Sequence, residues 1–101
     1  MYLIQVLLPL RDNHGHPFPK SLFKSVDADL VARFGGVTAF SRAPAKGKWL
    51  NRDEEQRDDV IVIEVMAKRR ERKWWKGFRE RLESQMDQSE IVVRALSIDR
   101  L

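Results

Sequence analysis

The sequence predicts an α+β fold, a βαββαβ sandwich, on three observations. Four short stretches are dense in β-branched and other apolar residues, as strands are. Two longer stretches repeat apolar residues every four positions, as amphipathic helices do. Glycine, proline and asparagine fall between these stretches, so the six patterns read as separate elements in the order strand, helix, strand, strand, helix, strand. At 101 residues, with 43% of them hydrophobic, the chain supplies one domain over residues 1–101 and apolar material for one core.

Residues 2–8 form an apolar run broken only by Gln5, which suits a central strand closed by Pro9. Asn13, Gly15, Pro17 and Pro19 mark a loop. From Lys20, Leu22, Val26, Leu30 and Phe34 recur at helical spacing with Phe23 alongside, while Lys24, Asp27, Asp29 and Arg33 take the other side. Gly35 and Gly36 stop that helix. Residues 37–42 read as a second strand, and residues 60–66, with the sequence VIVIEVM, as the strongest strand in the chain. A second helix is expected over residues 69–87, with a stripe of Trp74, Phe78, Leu82 and Met86 widened by Trp75. Residues 91–98 give the last strand. Right-handed crossovers arrange the strands 4-1-3-2, antiparallel throughout, with both helices on one face. The connection between the second and third strands, residues 43–59, is long enough to be functional, and Trp49 within it is either an anchor or an exposed contact.

With no cysteine, disulfides, thiolate metal sites and thiol nucleophiles are excluded. The opening run MYLIQVLLPL lacks a basic flank and is too short to span a bilayer, so a cytoplasmic protein without membrane attachment is expected. The net charge is +4, yet residues 68–81 carry eight cations against Glu71 and Glu80. That segment is +6 and the rest of the chain −2, so Lys68, Arg69, Arg70, Arg72, Lys73 and Lys76 define a local basic patch. The patch with Trp74 and Trp75 is one possible footprint for nucleic acid, although those tryptophans fall on the core stripe. The RNA-recognition motif shares this order of elements, but VIVIEV lacks its strand aromatics.

The sheet face without helices is the second surface of interest. Alternation along the strands puts Leu3, Gln5 and Leu7, then Val62, Glu64 and Met66, then Val92, Arg94 and Leu96 on that face. A monomer would leave its apolar members in water, so a two-fold homodimer packed sheet on sheet is expected. Gln5, Glu64 and Arg94 lie on neighbouring strands and have two readings. They floor a ligand pocket, or they are a buried polar set that fixes the register of the dimer.

Smaller signals carry less. His14 and His16 give two imidazoles in a loop, short of the three or four ligands zinc requires, and no metal or cofactor is implied. Neither has an orienting partner in the sequence that would make it a general base. Gly35-Gly36 precedes a strand rather than a helix, so it is not a phosphate loop, and no serine sits in a nucleophile elbow. The mixed-charge run from Arg52 to Asp59 lacks calcium-loop spacing.

The stretch Phe34-Gly35-Gly36-Val37-Thr38, then Gly47-x-Trp49, then residues 60–65 resembles small bacterial proteins of the ferredoxin-like, dimeric α/β-barrel superfamily. The resemblance covers residues 22–66. It implies a ferredoxin-like fold and a dimer formed through the open sheet faces. Relatives include cofactor-free monooxygenases, heme-degrading or heme-binding proteins and simple ligand binders. No motif selects among these, and kinship of fold does not assign chemistry. Three functions therefore stay open. The first is a homodimeric small-ligand- or partner-binding module using the open sheet face and the 43–59 connection. The second is a cofactor-independent enzyme acting on a hydrophobic substrate in that pocket, and the third is nucleic-acid binding through the basic second helix.

Overall fold

The computed structural model describes residues 1–42 and 60–101, with residues 39–42 described by their backbone. Six elements follow one another: β1 (Tyr2–Pro9), α1 (Lys20–Phe34), β2 (Thr38–Arg42), β3 (Val60–Ala67), α2 (Arg72–Gln85) and β4 (Val92–Ser97). The class is α+β. β1 pairs antiparallel with β3 on one side and β4 on the other, and β2 pairs antiparallel with β3, so the sheet runs β2-β3-β1-β4.

The core lies on one face of this sheet. Alternation turns Ile4, Val6 and Leu8 of β1 and Ile63 and Val65 of β3 inward, where all five are buried. Leu22, Val26 and Leu30 of α1 and Trp75, Phe78 and Leu82 of α2 join them in a single cluster, so both helices cover the same face. Nonpolar burial on this scale, roughly 1.5–3 kcal/mol for each large side chain, is what offsets the entropy of ordering the chain.

α1 begins after Pro19, whose carbonyl accepts the Leu22 N–H at 3.0 Å, and ends where Gly35 takes a left-handed φ of 86°. The Gly35 N–H returns to the Val31 carbonyl at 2.8 Å, a helix stop that a side chain at this φ would strain.

α2 starts at Arg72, three residues later than the sequence predicts. Glu71 sits just before it with φ 49°, a left-handed conformation that breaks the helical path, and its carboxylate pairs with Arg33 of α1 at 2.6 Å. The preceding cations Lys68, Arg69 and Arg70 would oppose the helix dipole if they lay in its first turn. The stripe also differs. Trp75 is buried and Trp74 only half-buried, so the core face runs Trp75, Phe78, Leu82 rather than from Trp74. Phe34 stacks on Trp75 at 5.3 Å and meets Trp74 edge-on at 5.4 Å, which locks the end of α1 to the start of α2.

Asp27 departs from its expected solvent side. It is half-buried, its Oδ1 is shielded from solvent without a hydrogen-bond partner among the described residues, and desolvation raises its pKa.

Candidate functional site

The open face is a grid of three rows set by strand register. Leu3 of β1 lies between Met66 of β3 and Leu96 of β4, Gln5 between Glu64 and Arg94, and Leu7 between Val62 and Val92. A polar row thus crosses the sheet between two apolar rows. A one-residue slip of either neighbour would send that row to the core face, so the hydrophobic pattern itself fixes it.

Gln5 is the centre of the row. Its Nε2 donates to Glu64 Oε2 at 2.7 Å, and its Oε1 accepts from Arg94 Nε at 2.7 Å. The sequence suggests a buried polar set of Glu64 and Arg94 with Gln5 as an amide partner. In the structure the amide stands between them, because β1 separates β3 from β4. Both ends of Gln5 meet an ionised group, and charge-assisted bonds of this kind contribute about 1.5–3 kcal/mol each when buried. Gln5 is only 9% exposed, so this satisfaction is what makes its burial tolerable.

The apolar rows are less uniform than alternation implies. Met66, Val92 and Leu96 are 53%, 42% and 44% exposed, while Leu3 and Leu7 are half-buried. Val62 is a correction, since at 3% exposure it offers almost no surface from this face. Trp49 and the rest of the 43–59 connection lie outside the described residues.

The His14–His16 loop is built around Asp12. Its Oδ1 accepts the backbone N–H groups of both His14 and His16 at 2.8 Å, and His16 Nδ1 lies 3.6 Å from Oδ2. The hydrogen bond from the His16 N–H, joined by that of His14 and the nearby imidazoles, holds the Asp12 carboxyl below the usual aspartate value. Asn13 and Gln88 tie the loop to the end of α2. Neither imidazole is hydrogen-bonded to Gln5, Glu64 or Arg94. Among the described residues no three His, Cys, Asp or Glu side chains gather as a metal site, and no helix is long and apolar enough to cross a membrane.

The basic residues before and within α2 divide by position. Lys68, Arg69 and Lys73 are exposed. Arg70 lies over the Tyr2 ring, with its guanidinium carbon 4.8 Å from the ring centroid. Arg70, Arg72 and Lys76 also line a groove between α2 and β4, together with Arg79 and Arg94. Sequence reasoning missed this groove, although the spacing of Arg72, Lys76 and Arg79 at i, i+4 and i+7 places them on one helix face. The tryptophans of the patch are engaged with each other at 4.7 Å and with Phe34 and Phe78, rather than spread as a base-stacking platform.

No family model matches the chain, and searches of curated proteins and of solved structures return no significant match.

Proposed function

We propose that this protein is a homodimeric binding module of ferredoxin-like fold, in which the open sheet faces of two copies pack together and the polar row lies at the centre of the contact. The observation that carries the reading is the grid. Charge along its middle row runs from carboxylate through amide to guanidinium, with apolar rows on both sides.

That arrangement is complementary to itself under one kind of two-fold axis. An axis parallel to β1 exchanges the two sides of the sheet, so Glu64 of one copy faces Arg94 of the other and Gln5 faces Gln5. The apolar rows then bring Met66 against Leu96, and Val92 against the strand position of Val62, whose own side chain is already buried. An axis across the strands would instead set Glu64 against Glu64 and Arg94 against Arg94, a like-charge contact that disfavours it. Stacked sheets sit about 10 Å apart, close enough for long side chains to bridge.

The resemblance to the dimeric α/β-barrel superfamily supports the same assembly. A small hydrophobic ligand or a partner would bind where the two faces leave space around the polar row. The cytoplasmic setting remains the expectation from the sequence.

Charge reversal tests the reading. Glu64→Arg and Arg94→Glu are each expected to weaken self-association about tenfold or more, because each sets like charges together twice per dimer. An equimolar mixture of the two variants is expected to associate more tightly than either alone. If both variants and their mixture keep the wild-type mass across a dilution series, the polar row is not at an interface.

A further inference from the structure

On the helix-covered side of the sheet, at its β4 edge, lies a groove of about 520 Å³ between the start of α2 and the edge strand. Its apolar surface comes from Ile4 of β1, Val93 and Ala95 of β4, and the ring of Trp75. Five cations surround that surface: Arg70, Arg72, Lys76 and Arg79 from the α2 side, and Arg94 from β4. Among the described residues no carboxylate lines it.

The nearby acids are engaged elsewhere. Glu71 is drawn to Arg33 of α1 at 2.6 Å, and Glu83 accepts both Arg79 at 3.2 Å and the Ile91 backbone N–H at 2.8 Å. Arg81 is paired with Asp29. Among the described residues Arg72 and Lys76 have no acidic partner. Of the cations in residues 68–81, Arg70, Arg72 and Lys76 therefore border one concavity without an acidic partner among the described residues, Arg79 is shared with Glu83, and Lys68, Arg69 and Lys73 lie outside it. Like charges gathered around a concavity repel one another, and a low-dielectric wall increases that repulsion. The first-turn N–H groups of α2 add positive potential at the same end, where Glu71 provides no side-chain cap. Trp75, 6% exposed, lines the groove, and its Nε1–H has no acceptor among the described residues.

The geometry points to a binding site for a small organic anion, one carrying a phosphate or paired carboxylates on a flat apolar body. The anionic head is held among Arg70, Arg72, Lys76 and Arg79, and the body lies on Val93 and Ala95 of β4 beside Trp75. The volume falls within the range of small-molecule sites, and the apolar floor distinguishes this groove from a surface that tracks a nucleic-acid backbone. Arg94 at the sheet edge borders both this groove and the polar row, while the other lining residues belong to the helix-covered side.

Calorimetric titration of the full chain at low salt with inorganic phosphate, naphthyl phosphate and oligothymidylates of two lengths tests it. One naphthyl phosphate is expected per chain, bound about tenfold or more tightly than inorganic phosphate because only the aryl ester uses the floor. The double variant Arg72→Gln/Lys76→Gln is expected to weaken that binding about tenfold or more, while Lys68→Gln/Lys73→Gln, with the same loss of charge outside the groove, changes it less than about threefold. All four positions are exposed and glutamine is helix-compatible, and an unchanged thermal midpoint confirms folding. Three results would overturn the assignment: no saturable binding of naphthyl phosphate, equal losses in the two double variants, or oligothymidylate affinity that grows with length and exceeds that of the aryl ester.

Discussion

Leu96→Asp is the most direct perturbation of the open face. Leu96 is 44% exposed in a single chain, so its replacement leaves the core intact and acts on association. Fully burying a leucine side chain is worth about 2 kcal/mol, so covering its remaining surface contributes roughly 1 kcal/mol per copy, or 2 kcal/mol per dimer. The axis along β1 sets Leu96 against Met66 of the second copy, and a carboxylate there meets a thioether with no donor to hand. Its desolvation adds about 1–3 kcal/mol per copy, which brings the total to roughly 4–8 kcal/mol, or about a thousandfold or more in Kd. Sedimentation equilibrium over a wide concentration series reads this against the 11.9 kDa chain. Wild type is expected at twice that mass at the upper end of the series and the variant at the chain mass throughout, with unchanged far-UV circular dichroism. A wild type that is monomeric at every concentration, or a Leu96→Asp protein of unchanged mass, would refute the sheet-on-sheet reading.

Two further substitutions test the fold. Gly77 lies exposed inside α2 with an ordinary helical φ, and a Cβ there meets nothing within 4 Å. Gly77→Ala should therefore stabilise by about 0.5–1 kcal/mol, a rise of several degrees in Tm that calorimetry resolves. Asp27→Asn removes a carboxylate whose ionisation is disfavoured by desolvation. Because the folded-state pKa is raised, the penalty is absent below the ordinary aspartate range and develops as pH rises through the folded value. The variant should be more stable than wild type near neutral pH, by about 0.5 kcal/mol for so partly exposed a site, and equal to it in acid. Denaturant melts at both pH values check the sign.

The parts of the fold legible in sequence are those where local chemistry and tertiary packing agree. Gly35 ends α1 because only a residue without Cβ takes its φ of 86° cheaply, and VIVIEV makes a strand because β-branched residues suit a pleated, packed surface. The three-row face followed from a period of two. What escaped depended on contacts between elements. Trp74 and Trp75 are adjacent, and which one enters the core is decided by Phe34 arriving from α1. The late start of α2 depends on Glu71 reaching Arg33, thirty-eight residues away. Asp27 sits at the border of its helix's inward arc, where a turn of a few degrees separates water from protein. The groove joins a helix face, an edge strand and one residue of β1, and no window of sequence spans all three.

The perpendicular indoles of Trp74 and Trp75, with centroids 4.7 Å apart, have an optical consequence. Two chromophores so close share excitation, and their coupling is sensitive to angle. Light absorbed by either is reported jointly from the corner where the two helices meet, so near-ultraviolet dichroism and emission colour register any loosening of that corner without an added label.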